Sequence, residues 1–245
     1  MDDFKIVGYA FTWKEEEVVP LVIDYWRKVV DHLYVFVFGK TDRTAELLKN
    51  YDFVDVIEMD NVMDWFVMQK RSVLMNECWK INKGLTDCAI VSEFSCVPVS
   101  QEGYDVREVI KNAFTKYPII SLRKYAVLSD VSKKVEGDEK DFLHQDHVKV
   151  IKRIGDMYNI FNPNVIEETF IHGGNLKPDV DLCDVKYGAV NLDFNDFEKQ
   201  YSLNRRMVGN YYGEKNGSLE ELNQRYRVDW GKKSKPFSEI PTEEE

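Results

Sequence analysis

The feature that most constrains this chain is the alternation, through its N-terminal part, of short apolar runs with segments whose apolar residues recur at helical spacing. Residues 5–10 (Lys-Ile-Val-Gly-Tyr-Ala) read as a strand, and Val18, Val19, Leu21, Val22, Tyr25, Trp26, Val29 and Val30 follow at the intervals of one helix face. Pro20 falls in the opening turns of that helix, where its missing N–H is tolerated. Residues 33–38 are too uniformly apolar to have a wet face; 45–50 predict a short helix, 54–58 a third strand, 64–83 a longer helix and 88–91 a fourth strand. A β-α-β-α-β-α-β series of this kind implies a parallel sheet covered by helices on both faces.

Beyond Pro98 the pattern is less regular. A helix is expected over 106–116, strands over 119–128, 149–154 and 166–171, a charged loop over 133–140, and helices over 196–212 and 218–226. The last ten residues, 236–245, with a Glu run and two prolines, read as a loose acidic tail. No internal repeat and no linker divides the chain. The expectation is therefore one domain over 1–235, with a regular half at 1–100 and a mixed half at 101–235.

Charge and cysteine usage narrow the function classes. A formal net charge of −10 argues against nonspecific binding to nucleic acid, which depends on many Lys and Arg contacts to phosphate, although one local basic site for a diphosphate is compatible with it. Cys78, Cys88, Cys96 and Cys183 lack paired metal-ligand spacing, and three of them lie in or beside apolar runs, as expected of a reduced intracellular protein. No apolar run approaches the roughly 18 residues of a membrane span, and the acidic start Met1-Asp2-Asp3 is unlike a secretory signal. The expected location is the cytoplasm, either free or peripheral to a membrane.

Chemistry is concentrated where an apolar strand ends. In Asp87-Cys-Ala-Ile-Val-Ser-Glu-Phe-Ser-Cys-Val-Pro98, the buried run 88–91 delivers Ser92, Glu93 and Ser95 to its carboxyl edge, the edge at which open α/β sheets bind ligands. This segment resembles the strand ending in Asp-x-Asp in family 2-like glycosyltransferases of the GT-A fold. Other segments resemble that family in the same order. They are Thr12-Trp-Lys-Glu-Glu-Glu-Val-Val-Pro20 after the first strand, Asp31-His-Leu-Tyr-Val-Phe-Val-Phe38, the turn Thr41-Asp-Arg-Thr44, Gln69-Lys-Arg71 with Asn76, Ile171-His-Gly-Gly-Asn-Leu-Lys-Pro178 and Asn191-Leu-Asp-Phe194.

The resemblance implies a GT-A-like α/β domain with a mainly parallel, Rossmann-like nucleotide-binding sheet and a mixed C-terminal half. It implies an inverting, hexosyltransferase-like enzyme that moves a sugar from a nucleotide-diphosphate donor to a glycan or lipid-linked glycan acceptor, in polysaccharide biosynthesis. Its donor-binding residues would be Thr12, Lys14, Asp42, Lys70, Arg71, Ser92, Glu93 and Ser95. The family's metal-holding aspartates fall on Glu93 and Ser95. A hydroxyl is a weak neutral ligand, so dependence on Mn²⁺ or Mg²⁺ is expected to be reduced, with Glu93 and His172 as the metal candidates. Diphosphate charge would then rest on Lys14, Lys70 and Arg71. Asp146, Glu167 and Glu168 are the candidates for the general base that takes the acceptor proton.

Plainer roles stand beside these. Asp42 fits a helix-start turn as well as a ligand contact, Glu167 and Glu168 fit a solvated pair, Lys70 fits a solvent-facing helix position, and His172 fits an ordinary loop. Two other functions also stay open: a member of the same fold that binds nucleotide or glycan without turnover, and another α/β nucleotide-binding enzyme such as a nucleotidyltransferase. Against the latter, the chain has neither Gly-x-Gly-x-x-Gly nor Gly-x-x-x-x-Gly-Lys-Ser/Thr.

Overall fold

The computed structural model describes residues 4–16, 18–40, 42–61, 68–100, 103–129, 148–167, 182–194 and 235–236. The expected alternation is present: β1 (Ile6–Thr12), α1 (Val19–Val29), β2 (His32–Phe38), α2 (Thr44–Leu48), β3 (Val54–Met59), α3 (Met68–Ile81) and β4 (Cys88–Glu93). There follow β5 (Cys96–Ser100), α4 (Val106–Phe114), β6 (Ile119–Ser129), β7 (Val148–Phe161), β8 (Leu182–Phe194) and the short β9 (Lys235–Pro236). All belong to one 9-stranded sheet in the order β3-β2-β1-β4-β7-β6-β8-β5, with β9 on β7.

The N-terminal sheet is parallel throughout, β1 pairing with β2 and β4, and β2 with β3. The C-terminal half is mixed: β7 is antiparallel to β4 and β6, β6 is parallel to β8, and β5 is antiparallel to β8. This is the α/β class expected from the sequence. Because β2 and β3 extend to one side of β1 while β4 lies on the other, the strand order reverses between β1 and β4. Such a reversal opens a crevice at the carboxyl ends of the two strands.

Helices on both faces explain why every residue of β1 is buried. On one face α1 contributes Val19, Val22, Ile23, Trp26 and Val29 to a core with Val35, Ile90 and Val97. On the other, Met75 and Trp79 of α3 pack with Tyr9, Phe11, Phe36 and Val91. Gly8 permits the close seat of α1, since a Cβ there would stand 2.7 Å from Leu33 Cδ1 and 3.3 Å from the Trp26 ring. The indole N–H of Trp26 donates to the Phe94 carbonyl at 2.8 Å, fixing the turn beyond β4. Farther along, the Asp105 carboxylate caps α4 by accepting from the amides of Arg107 and Glu108. Arg107 in turn donates to the carbonyls of Val29 and Phe4 and pairs with Asp31 at 3.0 Å.

Several expectations need correction. β5 is not among the expected strands, since Pro98 interrupts its run; it is the outermost strand of the order, where the missing proline N–H is tolerated. β8 was missed because Asp184, Lys186, Gly188, Asn191 and Asp193 interrupt its apolar pattern. Gly188, at φ 87, lies inside the register shift that takes the β6 partners from Val185 to Val190. β7 runs past the expected end at 154 because Ile160 and Phe161 pair with Ile90 and Ala89 of β4. The strand expected over 166–171 does not begin at Ile166, which instead closes a turn by donating its amide to the Asn162 carbonyl. Residues 168–171, the loop at 133–140 and the helices expected over 196–212 and 218–226 lie outside the described residues.

Candidate functional site

The crevice between β1 and β4 is built from three segments. β1 runs out through Thr12 into Trp13, Lys14 and Glu15; β4 ends at Glu93; and α3 brings Arg71 across, because its buried positions Arg71, Ser72, Met75 and Trp79 share one helical face. Phe11 pairs with Glu93 in the β1–β4 register. Over the Phe11 ring, 4.8 Å from its centroid, lies the guanidinium of Arg71, whose Nη1 is 3.8 Å from Glu93 Oε1. Burial pulls the Arg71 pKa below its ordinary value, and the Glu93 carboxylate opposes that shift. A buried cation is thus stabilised by an aromatic face and a carboxylate.

Lys14 is the one non-glycine residue with positive φ among the described residues, at 55°. Its ammonium lies 4.9 Å from the Trp13 ring centroid. A left-handed residue is costly for a side chain with a Cβ, and such conformations gather at functional sites. Phe11 and Trp13, two residues apart on β1 and its extension, belong to the same core face, so Arg71 and Lys14 lie over successive aromatics.

The other expected donor-binding residues stand as follows. Thr12 is buried, and its hydroxyl donates to Glu15 Oε2 at 2.7 Å. Asp42 accepts from the Thr44 amide at 3.1 Å, the Thr44 hydroxyl at 2.9 Å and the Glu16 amide at 3.2 Å, while the Glu15 amide donates to Thr44 Oγ1 at 3.0 Å. Asp42 thereby joins the start of α2 to the loop after β1, and it also lines the open hollow beyond β2. Ser92 is likewise internal, its hydroxyl donating to the Cys96 carbonyl at 2.8 Å. Ser95 is buried in the β4–β5 turn beside Glu93. Lys70 is exposed, one position before the buried Arg71.

Glu167 is not brought to this crevice. It stands exposed just beyond the turn at 162–166, and that turn is bonded to the α3–β4 turn at the opposite edge, through Gly84 N–H to Asn164 Oδ1 at 2.8 Å. Asp146, Glu168 and His172 lie outside the described residues. Among the described residues no group of three or more His, Cys, Asp or Glu side chains is arranged to hold a metal ion. β4 contributes the single carboxylate of Glu93, already facing a guanidinium, and this donor set alone does not fit a divalent cation.

Sequence reasoning passed over Glu15, Phe11 and Trp13. The Thr12-x-x-Glu15 spacing, which is that of a helix-entry capping box, was the available signal for Glu15. An open hollow of about 470 Å³ adjoins the same edge beyond β2, between Gly39, Lys40, Ala45, Lys49 and Glu58. Glu58 is held below the usual carboxylate range by its hydrogen bond and charge contact with Lys49, with Lys40 adding to the effect.

No protein-family model matches the chain, and no curated protein matches it. Among solved structures it is similar to 4-diphosphocytidyl-2C-methyl-D-erythritol synthase from Anaerococcus prevotii, at 10% identity over 75% of this chain and 87% of that one, with a TM-score of 0.39. It is also similar to HddC from Yersinia pseudotuberculosis, at 13% identity over 81% and 97% of the two chains and a TM-score of 0.43. A third likeness is to Rv0371c from Mycobacterium tuberculosis H37Rv in complex with manganese, at 11% identity, 81% and 97% coverage and a TM-score of 0.43. Likenesses of this degree carry neither ligand nor activity over to this chain.

Proposed function

We propose that this chain is a nucleotide-binding transferase of glycosyltransferase type, taking a nucleotide-diphosphate sugar at the β1–β4 crevice and passing the sugar to a glycan or lipid-linked glycan. The observation that carries the reading is the pair of cations at the reversal of strand order: Arg71 buried over Phe11, and Lys14 over Trp13 in a left-handed conformation. Departure of a nucleoside diphosphate needs its growing negative charge met by fixed positive groups in a poorly solvated place. A guanidinium grips phosphate oxygens in a fork, and an ammonium acts as a point charge, so the two are complementary. Lys14 and Arg71 receive the leaving diphosphate, Glu93 orients Arg71, and Asp146, from the C-terminal half, accepts the acceptor hydroxyl proton. Glu167 stands at the wrong edge for that role.

The test is calorimetric titration with nucleoside diphosphates and their sugars, with and without Mn²⁺, followed by product analysis. Binding of a nucleoside diphosphate and release of the same diphosphate on transfer support the reading. Release of pyrophosphate from a nucleoside triphosphate and a sugar phosphate would make the chain a nucleotidyltransferase instead. A second reading, binding without turnover, is favoured by one observation: Glu93 is already engaged by Arg71. Tight donor binding with neither transfer nor donor hydrolysis would establish it.

A further inference from the structure

We propose that the edge of the sheet opposite the crevice docks on an anionic lipid surface through the α3–β4 turn. Ile81 and Leu85 are 78% and 68% exposed there, and Val165 is 51% exposed. Exposure of one large apolar side chain is ordinary, but here Leu85 and Val165 lie on two turns bonded to each other, and Ile81 ends the helix that leads into the first. The Gly84 amide donates to Asn164 Oδ1 at 2.8 Å and Asn164 Nδ2 donates to the Thr86 carbonyl at 3.2 Å, which holds Leu85 and Val165 on one rigid platform. Gly84, at φ 84 with nothing within 4 Å of where a Cβ would lie, lets the turn project into open space.

Charge complementarity identifies the occupant. Lys80 and Lys83 flank Ile81, and all three are exposed. Lys5 belongs to the same edge, since its amide donates to Asp87 Oδ2 and its carbonyl accepts from Asp87 and Cys88. Lys116 does too, two residues before Pro118, whose carbonyl accepts from the Asn162 amide. Four exposed lysines thus share the edge that carries the apolar tip in a chain whose net charge is −10, with Asp87 and Glu167 as acids beside them and Asp31 paired with Arg107. Apolar side chains entering the headgroup region with lysines at its surface is the pattern that favours anionic lipid over a neutral one. No helix among the described residues is long and apolar enough to cross a membrane. The candidate crevice, at the other end of the strands, stays open to a soluble donor.

The experiment is co-sedimentation of the full chain with phosphatidylcholine vesicles, with and without phosphatidylglycerol, at low and high salt. Binding to the phosphatidylglycerol vesicles alone, weakened by salt, is expected. Neutralising Lys83 as Lys83→Gln should lower the partition coefficient about fivefold, the contribution of one lysine near an anionic surface. The double variant Ile81→Ser, Leu85→Ser should lose binding while keeping the wild-type circular dichroism and melting curve, because both side chains are exposed. Absence of wild-type binding, equal binding to both vesicles, or full binding by the double variant overturns the proposal. So does a wild-type dimer in sedimentation that the double variant abolishes without any vesicle binding, which would assign the patch to a second copy of the chain.

Discussion

Arg71 and Glu93 face each other across 3.8 Å, one from α3 and the other from the end of β4, with the guanidinium lying over Phe11. This couples the helix to the strand through a charge contact at the reversal of strand order. Arg71 is buried, and Glu93 is partly exposed. Losing the acid removes a counter-charge from a cation in a poorly solvated place, whereas losing the arginine leaves a carboxylate that water can still reach.

The asymmetry between neighbours on α3 gives the first prediction. Arg71→Ala should weaken binding of a nucleoside diphosphate by about tenfold or more, the worth of a charge-assisted contact in a partly dry site. Lys70→Ala, removing an exposed charge, should change it by about twofold at most. Calorimetry on variants with wild-type circular dichroism reads both, and equal affinity in Arg71→Ala and wild type would mean that the guanidinium serves the fold alone.

Metal response is the second. With one carboxylate at Glu93 and a hydroxyl at Ser95, donor binding by the wild type should survive EDTA in part. Ser95→Asp should make affinity more sensitive to Mn²⁺, although Ser95 is buried and the new acid must turn outward to reach the cation. Complete loss of wild-type binding in EDTA would show that residues beyond Glu93 complete a metal site.

A third prediction concerns packing. Gly8→Ala places a methyl 2.7 Å from Leu33 Cδ1 and 3.2 Å from Val30 Cγ1, with the Trp26 ring at 3.3 Å. Since Leu33, Val30 and Trp26 are all buried, the substitution should cost about 1–3 kcal/mol, read as a lower denaturant midpoint at unchanged slope. A midpoint equal to wild type would mean that Leu33 finds another rotamer at no cost.

The fourth is a pH dependence. Burial pushes the Cys78 thiol up to about 11 from an ordinary value of 9.0. The folded state therefore holds the proton more tightly than the unfolded chain. Its contribution to stability is fully present below pH 9 and is lost as pH rises through 11. Cys78→Ala should flatten the decline of stability over that window relative to wild type, and near pH 8 native Cys78 should react slowly with a thiol reagent. An identical pH profile in the two proteins would exclude Cys78 as the source.

Much of the N-terminal fold was legible because burial on both faces of a parallel sheet forces uniformly apolar strands, as in Leu33 to Phe38, and packed helices repeat at helical spacing, as from Val19 to Val29. β5 and β8 were not, because an outer strand tolerates Pro98 and a shifted strand tolerates Gly188. At Asp42 the turn signal was legible, and the structure adds the three donors that the carboxylate receives. Buried Arg71 and exposed Lys70 are adjacent on the chain, and only the helix face separates them.

The insertion of β7 next to β4 has a kinetic consequence. During synthesis β1, β2, β3 and β4 can assemble early, but one edge of β4 stays without its neighbour until the distant Ile160 and Phe161 emerge, and β5 waits longer for β8. Contacts so remote in sequence slow the final closure and leave a sticky apolar border exposed meanwhile. A truncation that ends after β4 should therefore yield aggregates rather than a small soluble nucleotide-binding module.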